Sequence, residues 1–495
     1  MFAEVVTTLV FAWLGWYVLK TYLVRRKMPP GPFPLPIIGN LHQTGIDIPY
    51  SLEKICEKYG DVYTVTFPIG DVVIVNSVAS MKEALVDRKD DFAGRASSSL
   101  YPLDIILERG DIVSSDYGPA LNFRRKVFKT ALHLFGEGTQ EAEERVRDAV
   151  QELLDEIEAT NGKAFSPKYY ISTAIVILLW KWLVAKKCSF GDPTIEALLK
   201  FNHKTTSLVA QGSLHQLFPF LRHFPLEFHR TMEELEKIKE QVFESEAISH
   251  RESYTDGVIR DITDSFMFAY EKAKLKDNGK YGGTATNIKC LMIDVILGGA
   301  DTTSGFFNWF ILYMVLEQDM QKQLQKELDR VVGRDRMPCL QDVPNLHWLQ
   351  ATVCEVMRHS SFLPVAIPHS TIRNTVLQGY EIPKGTVVFL NLFQINKDPN
   401  EWDEPLLFKP DRFLDASGKF VGWTTIPGFV PFGLGRRNCV GESLAKMQVF
   451  IVTSNLLHQL TFEAAKDEPK PTLEVGQPSS VRNPKDYKVI AKKRL

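Results

Sequence analysis

One cysteine near the C-terminus stands in a setting that core packing does not require. Cys439 lies in the stretch FGLGRRNCVGESLAK, and glycines occupy positions 433, 435 and 441 around it. Glycine lets the backbone approach a bound group closely and leaves amide N–H groups free to face a sulfur. A helix predicted to begin near Gly441 would direct the positive end of its dipole at Cys439. The pattern predicts a thiolate that ligates a metal, and the alternative is a strand-to-helix turn with a chance cysteine.

A second candidate is the stretch ILGGADTTSG, inside the apolar run Cys290–Leu316. Its two adjacent glycines leave room beside a helix for a flat ligand. Asp301 and Thr302 then place a carboxylate and a hydroxyl next to that room, and Thr302 is able to draw a hydrogen bond out of the helical ladder. The alternative is a core helix softened by glycine. Since an aspartate at the centre of a membrane span costs about 2.5–3.5 kcal/mol, we expect a buried helix rather than a second span.

A third candidate is LQATVCEVMRHS, in which Glu355 and Arg358 lie three residues apart on one helical face. Such a pair on a surface contributes only a few tenths of a kcal/mol. The later segment FKPDRF supplies a further cation, Arg412.

The three motifs together resemble those of the cytochrome P-450 family, the haem-thiolate monooxygenases. The resemblance runs from PPGPFPLPIIGN to the C-terminal strands. It implies the cytochrome P-450 fold, which is mainly α with small β-sheets. It also implies that Cys439 is the proximal iron ligand and that Asp301 and Thr302 deliver protons. Glu355, Arg358 and Arg412 become a buried network that fixes the cysteine loop.

The same resemblance implies that the cofactor is haem b with an axial cysteine thiolate. Its propionates need cationic donors. In the helix containing YGPALNFRRKVF, Arg125 takes the arginine position, while Leu121 replaces the tryptophan usual in the family, so that one propionate donor is lost. The candidate haem-binding residues are Cys439, Phe432 (over one face), Gly433, Arg437 (at a propionate), Gly441, Arg125, His369 and Arg95.

Composition excludes some classes of protein. The net charge of −2 argues against nucleic-acid binding, which would need a basic excess. The six cysteines show no C-x-x-C pair and no regular spacing, which argues against a disulfide framework or a zinc site and favours a reducing compartment.

The N-terminus differs from the rest of the chain. Residues 5–24 are almost wholly apolar, long enough to span a bilayer, and are followed by a basic cluster. The positive-inside rule then places the remainder in the cytosol. We expect an anchor over residues 1–24, a basic and proline-rich linker over 25–38 and one catalytic domain over 39–495. The expected location is the endoplasmic reticulum membrane, and a cleaved signal peptide is the alternative.

The elements that must position these motifs are mostly helices. Apolar spacing of three and four predicts helices through most of residues 141–330, and a buried helix follows Cys439. The alternating stretch 59–77 predicts a β-hairpin turning at Gly70-Asp71, and residues 376–393 predict short strands. The stretch KLKDNGKYGGTATN, 274–287, is the most loop-like interruption.

The resemblance is nearest to the branch of the polycyclic-aromatic hydroxylases and the steroid 17α-hydroxylase/17,20-lyases, which implies a flat, lipophilic substrate. The phenylalanine-rich stretch 214–229 is a candidate roof or membrane contact, and core packing explains it equally well. The candidate substrate contacts, for which core packing is again the alternative, are Asp294, Ala300, Leu363, Val365 and Ile367.

The family also implies an electron donor, NADPH-cytochrome P-450 reductase, with cytochrome b5 as a second candidate. A basic face formed by Arg124, Lys126, Lys129 and Arg436 would attract an acidic donor, although a merely solvated face has the same pattern. Two other functions remain open: a haem-thiolate isomerase or dehydratase, and a non-catalytic haem protein that binds ligands or carries electrons.

Overall fold

The computed structural model describes residues 2–44, 48–96, 100–108, 110–135, 140–217, 224, 227–276, 285–477 and 479–494. Half of the candidate roof at 214–229 lies outside the described residues, and so does the centre of the loop at 274–287. Within the described part the chain is mainly helical with three small sheets, as predicted.

The α-helices lie mostly where the apolar spacing of three and four predicted them, including most of 141–330. Short π-helical stretches follow α4 and α10, and 3-10 turns occur at Leu340–Asn345, Pro410–Phe413 and Gly435–Arg437. The helices are α1 (Phe2–Arg25), α2 (Leu41–Thr44), α3 (Ile48–Tyr59), α4 (Val78–Lys82), α5 (Leu103–Ile106), α6 (Pro119–Phe135), α7 (Gln140–Glu158), α8 (Pro167–Val184), α9 (Pro193–Leu217), α10 (Glu227–Ile238), α11 (Ser245–Ser253), α12 (Ile262–Lys276), α13 (Ala285–Leu316), α14 (Gln318–Val331), α15 (His347–Ser360), α16 (Leu392–Ile395) and α17 (Glu442–Gln459).

The main sheet has the strand order β1-β2-β6-β3, and two hairpins, β4-β5 and β7-β8, stand apart from it. The hairpin predicted at 59–77 is present, but its turn lies at 68–69 and Gly70 pairs with Phe67 as a strand residue. The strands are β1 (Val62–Phe67), β2 (Gly70–Val75), β3 (His369–Ser370), β4 (Thr375–Leu377), β5 (Tyr380–Ile382), β6 (Val387–Leu390), β7 (Leu460–Ala464) and β8 (Val489–Lys493).

Helix α13 is the axis of the largest hydrophobic core. It packs chiefly against α8, an apolar helix that is buried along most of its length. Phe306, Phe307 and Phe310 are fully buried along its C-terminal half. Because α13 runs through the core, the residues near its middle are held rigidly beside the elements that surround it.

Two helices have the length and hydropathy of a membrane span, and burial distinguishes them. The window in α1 is 0% buried, whereas 72% of the window Asn287–Leu316 in α13 is buried. An exposed apolar helix near the N-terminus is consistent with a membrane anchor, and a buried one is consistent with a core helix.

The proline-rich segment after α1 is bound to the sheet rather than hanging as a free tether. Thr64 donates from its backbone N–H to Pro30 O (2.8 Å) and from its hydroxyl to Pro29 O (2.9 Å). Arg25 donates to Pro32 O (2.9 Å) and to Thr64 O (2.5 Å). Prolines lack N–H groups, but their carbonyl oxygens still accept, and strand β1 supplies the donors.

Candidate active site

The cysteine loop contains the 3-10 turn Gly435–Arg437 and leads into α17, which begins at Glu442. The backbone N–H of Cys439 donates to Phe432 O (2.8 Å), which closes the loop. Gly435 has φ of +70°, and a Cβ there would lie 2.0 Å from Leu85 O, so only glycine fits. The close approach of this turn to the segment after α4 depends on that missing side chain.

Cys439 is the one exposed cysteine of the six. Its sulfur is open on one side, but protein surrounds the other sides, so desolvation raises the pKa of the thiol. The nearby Glu442 carboxylate raises it further, while the backbone N–H of Gly441 and the charge of Arg125 lower it. These two lowering groups are the ones that would stabilise a metal-bound thiolate.

Three guanidinium groups, those of Arg95, Arg125 and Arg437, gather beside this loop. Burial and the charge of Arg125 together lower the pKa of Arg437 to about 10. Burial and the other two guanidinium groups likewise hold the pKa of Arg95 well below its ordinary value. Asp111 and Asp116 offset part of this charge, but none of the three arginines forms an ion pair within the part of the chain that the structure describes.

The three guanidinium groups are held in place by carbonyl oxygens and an amide. Arg437 donates to Ala93 O (2.7 Å) and Ser115 O (2.8 Å). Arg125 donates to both oxygens of Asn438, at 2.9 Å for the backbone oxygen and 2.8 Å for Oδ1. These contacts fix direction without neutralising charge. The cluster is therefore suited to an anionic ligand with more than one charged group.

Two other predicted haem contacts have protein partners. Arg95 is buried and donates to Pro368 O (3.0 Å). The adjacent His369 is also buried, and its Nδ1 lies 2.8 Å from Phe92 O, so that Nδ1 carries the proton. Burial and the nearby charges of Arg95 and Arg437 hold the pKa of His369 well below its ordinary value, and its ring is neutral. Leu121, at the position of the missing tryptophan, is a buried core residue.

The middle of α13 presents one open face. Gly298 is exposed within a helix whose neighbours are mostly buried, and a Cβ there would meet nothing within 4 Å. Thr302 is one turn later on the same face and donates its hydroxyl to Gly298 O (2.7 Å). Gly299, by contrast, packs tightly against Leu179.

This geometry corrects one predicted substrate contact. Ala300 is 2% exposed and belongs to the hydrophobic core, so it does not reach the open face. An α-helix turns about 100° per residue, which places Ala300 well away from the direction of Gly298 and Thr302. The small residue that gives the open face its room is Gly298.

Asp301 points to a different neighbour from Thr302. Asn202 Nδ2 on α9 donates to its Oδ1 (2.5 Å), and the Thr206 hydroxyl donates to its Oδ2. Burial raises the pKa of Asp301, and these two donors lower it. The acid and the alcohol are thus adjacent in sequence, but different elements hold them.

Asp294 lies one turn before Gly298 and is nearly buried. Its Oδ2 accepts from the backbone N–H of Ile112 (2.7 Å). Burial and the neighbouring carboxyl of Asp111 hold the pKa of Asp294 well above its ordinary value. In this arrangement Asp294 fastens the segment after α5 to α13, and its Oδ1 has no hydrogen-bond partner among the described residues.

The remaining predicted substrate contacts follow α15. Leu363 lines a small cavity of about 20 Å³ together with Met357, Phe362 and Phe429. Val365 is partly buried, and Ile367 is 43% exposed.

The Glu355 network is buried and fully connected. Arg358 donates Nε to Glu355 Oε2 (2.7 Å) and Nη2 to Oε1 (2.6 Å), and neither side chain is exposed. Arg412 Nε donates to Glu355 Oε1 (3.2 Å), and so does the backbone N–H of Lys409 (2.8 Å). The guanidinium group of Arg358 also donates to the backbone oxygens of Asn396, Pro405 and Leu407.

Ring contacts connect this network with the cysteine loop. Arg358 and Arg412 lie over Trp402, with their Cζ atoms 5.1 and 5.9 Å from its ring centroid. The next ring, Phe413, lies 5.9 Å from Trp402, and Phe429 lies 4.9 Å from Phe413. The series continues from Phe429 through Trp423 to Phe432, with centroid distances of 6.1 and 6.0 Å. Rigid, close-packed rings transmit position well, so the network and the loop move as one unit.

The structure adds residues that the sequence analysis missed. Asn438 directs Arg125, and Asn202 and Thr206 hold Asp301. All three are common polar residues without a distinctive spacing to their partners. Only Asn438 had a local signal, its position directly before Cys439.

The donor set fits a haem. An accessible thiol faces a helix N-terminus, arginines without ion pairs supply cationic donors, and an open helix face lies at Gly298. A dianionic porphyrin carrying two propionates and a thiolate-ligated iron matches these features in charge and shape.

Comparisons with known proteins decide the family. The family model for Cytochrome P450 matches residues 29–491. The chain belongs to the cytochrome P450 family.

Relatives agree across nearly the whole length. The chain is 32% identical to the steroid 17-alpha-hydroxylase/17,20 lyase of Ictalurus punctatus over 478 residues, which is 96% of this chain and 92% of that protein. It is also 32% identical to cytochrome P450 1A1 of Canis lupus familiaris over 92% of this chain and 88% of that one. A zebrafish cytochrome P450 structure with progesterone superposes with a TM-score of 0.80 at 28% identity, covering 90% of this chain and 99% of that chain. The fold prediction is confirmed, and the chain is a cytochrome P450 monooxygenase of the steroid or xenobiotic type with a haem-thiolate iron.

Proposed function

We propose that this monooxygenase is anchored by α1 in the endoplasmic reticulum membrane and hydroxylates a flat, lipophilic substrate, a steroid or a polycyclic aromatic. Its electrons come from NADPH-cytochrome P-450 reductase, with cytochrome b5 as a second donor. The observation that carries the proposal is the accessible thiol of Cys439 beside three arginines that have no ion pair.

Each residue of the site then has a role. Haem bound to a cysteine thiolate activates dioxygen, because the thiolate pushes electron density onto the iron. Cys439 would supply the thiolate that ligates the iron, and Gly441 N–H would stabilise its charge. Arg95, Arg125 and Arg437 would bind the propionates. Gly433, at φ of +68°, would let the loop backbone approach the haem closely, and Phe432 would cover one of its faces.

Protons reach the open face of α13 through Thr302 and Asp301. Thr302 borders this face and holds a hydroxyl there, and Asp301 stores a proton one residue earlier. The raised pKa of Asp301 favours this role, because an acid is most effective when its pKa lies near the working pH. His369 is neutral and buried and donates to Phe92 O, so it joins the backbone near Arg95 to strand β3 rather than adding charge.

Two grounds support a flat substrate: the names of the similar proteins and the residues that border the site. One relative is named as a steroid hydroxylase, and the structural neighbour is a structure with progesterone. Leu363, Val365 and Ile367 are proposed as one apolar side of the substrate site, with the open face of α13 at Gly298 as the other. Progesterone and a polycyclic aromatic are therefore the first two probes to compare for spectral shifts on binding.

Electron delivery is proposed to occur on the face near α6. Lys126 and Lys129 are exposed there, whereas Arg124 turns inward to Ser115 Oγ (2.7 Å) and Arg436 pairs with Asp90 (2.8 Å). The two lysines are thus the strongest candidates for attracting an acidic reductase. Turnover with reductase should fall as salt rises, and turnover independent of salt would contradict this docking mode.

The deciding experiment is the carbon monoxide spectrum of the reduced protein, with the Cys439→Ser variant beside it. A strongly red-shifted Soret band that disappears in the variant is expected. An ordinary neutral-ligand band in the unaltered protein would contradict thiolate ligation. Product that requires both NADPH with reductase and dioxygen excludes the isomerase and the simple ligand-binding protein.

A further inference from the structure

Helix α9 forms hydrogen bonds with both carboxylate oxygens of Asp301 on α13. Asn202 and Thr206 lie four residues apart, one turn of α9, so their side chains point the same way. The Asn202 amide meets Asp301 Oδ1 at 2.5 Å, and the Thr206 hydroxyl meets Oδ2. Asn202 is 5% exposed, so water competes little for this contact.

The Thr206 hydroxyl serves both charge states of the acid. It lies 2.8 Å from the backbone oxygen of Asn202 as well as beside Asp301. When Asp301 is ionised, the hydroxyl donates to it. When Asp301 is protonated, the acid donates to the hydroxyl, which then donates to Asn202 O. The Asn202 amide only donates, and it therefore favours the ionised form.

Other charged groups around the acid act in the same direction as these donors. His203 on α9 and Lys168 on α8 are both exposed, and their positive charges lower the pKa of Asp301. Burial opposes them. Burial therefore favours the protonated form of Asp301, whereas several groups, mostly on α9, favour its ionised form.

We propose that Asn202 and Thr206 are positioning residues through which α9 sets the location and the charge of Asp301. The inference rests on the proposed role of Asp301 and Thr302 in proton supply. Its consequence is that any displacement of α9 changes how readily Asp301 carries a proton. Proton supply is thus tied to a second helix.

The first test titrates Asp301 itself in the purified holoenzyme, without turnover. Infrared difference spectra report the carbonyl band of a protonated carboxylic acid, and Asp301→Asn identifies which band belongs to Asp301. In Asn202→Leu we expect the ratio of protonated to ionised Asp301 at a given pH to rise about tenfold, because a donor to the charged form is lost. Thr206→Val should raise it less, because that hydroxyl supports both forms, and Thr206→Ser should restore it.

The neighbouring Thr205 offers a matched control. It is 2% exposed, and its hydroxyl has no hydrogen-bond partner among the described residues. Thr205→Val makes the same change in shape as Thr206→Val but should leave the titration of Asp301 unaltered. An equal shift in both variants would mean a general packing effect and would overturn the inference.

The second test asks whether the contacts of Asn202 and Thr206 with Asp301 affect the reaction. In Asn202→Leu we expect less product per NADPH consumed, because Asp301 is less well positioned, and an unchanged KM. Because Asp301 acts as a proton donor, we also expect the alkaline limb of the pH–rate profile to move to higher pH. If Asp301 titrates in Asn202→Leu as it does in the unaltered protein, the role of Asn202 is overturned. If its titration moves but the product formed per NADPH is unchanged, the link to proton supply is overturned. If the unaltered protein makes no product with any probe, the proposed function fails, while the infrared titration still tests how Asn202 and Thr206 act on Asp301.

Discussion

Two regions of this molecule bury arginines, and they do so in opposite ways. The Glu355 network surrounds one carboxylate with Arg358, Arg412 and a backbone N–H. The cluster beside the cysteine loop gathers Arg95, Arg125 and Arg437 with no ion pair among the described residues, and its guanidinium groups donate to carbonyl and amide oxygens.

This difference indicates that the Glu355 network stabilises the fold, whereas the arginine cluster binds a ligand. A buried charge needs a partner, and the first region supplies its own, so it is complete in the protein alone. In the second region Asp111 and Asp116 compensate only part of the positive charge, so its arginines repel one another until an anion arrives. Removing an arginine should therefore destabilise the fold in the first region and weaken ligand retention in the second.

The largest effect is expected from Arg358→Ala. It leaves Glu355 as a buried carboxylate with fewer donors, which costs about 3–5 kcal/mol. Urea unfolding should show this loss in the free energy of unfolding, and little haem-loaded protein should accumulate. Arg373→Ala is a suitable control, because Arg373 is 61% exposed in its pair with Asp91 and should contribute less than about 1 kcal/mol. Normal haem loading in Arg358→Ala would contradict the structural role.

A third charged region, where α11 meets α12, extends the comparison to pH. Burial opposes the charge of His250, but Asp261 (2.8 Å) and Glu246 (3.1 Å) outweigh burial and raise its pKa to about 10. Because the folded pKa lies above the unfolded one, this stabilisation is complete below the ordinary pKa of about 6.5. It is lost as the pH rises through about 10.

The measurement for this region is the difference in the free energy of unfolding between the unaltered protein and His250→Gln. That difference should be a few kcal/mol at neutral pH and should shrink as the pH approaches 10. A difference that does not change over this range would mean that His250 is neutral in the folded protein.

Arg125→Ala tests the arginine cluster directly. The apoprotein should keep its stability, because loss of this charge relieves repulsion with Arg437. Haem retention should fall about tenfold to a hundredfold, as expected when a charge-assisted hydrogen bond of about 1.5–3 kcal/mol is lost. Transfer of haem to apomyoglobin measures the retention. Arg412→Ala is the contrasting variant, since it should lower apoprotein stability, and the comparison fails if both variants behave alike.

The smallest effect is expected from Arg436→Ala, beside Arg437 but outside the cluster. Arg436 is 45% exposed and pairs with the exposed Asp90. Such a pair contributes about 0–1 kcal/mol, so thermal unfolding and haem retention should hardly change. A large loss of haem in this variant would show that the cluster extends to the surface.

The fold could be predicted well where local chemistry was distinctive. The anchor-like α1, the helix after Cys439 and the hairpin β1-β2 follow from hydropathy, glycine placement and alternation. The predicted turn of the hairpin lies two residues too late, because Gly70 has the character of a turn residue but pairs in the strand with Phe67. The sequence predicted only a proline-rich linker. It did not predict that the linker binds to the sheet, because the donors on Thr64 and Arg25 are not visible in the composition of the linker itself.

The sequence by itself determined the chemistry: which cysteine, which acid and alcohol, and which arginines. Their types and spacing along single elements carry that information. Only the tertiary structure decided which way they point. It turned Gly298 rather than Ala300 to the open face, placed the carboxylate of Asp301 against α9, and left Arg95, Arg125 and Arg437 without an ion pair among the described residues. These outcomes depend on contacts between elements far apart in the chain, and on the angle at which a helix meets its neighbours, which local spacing does not encode.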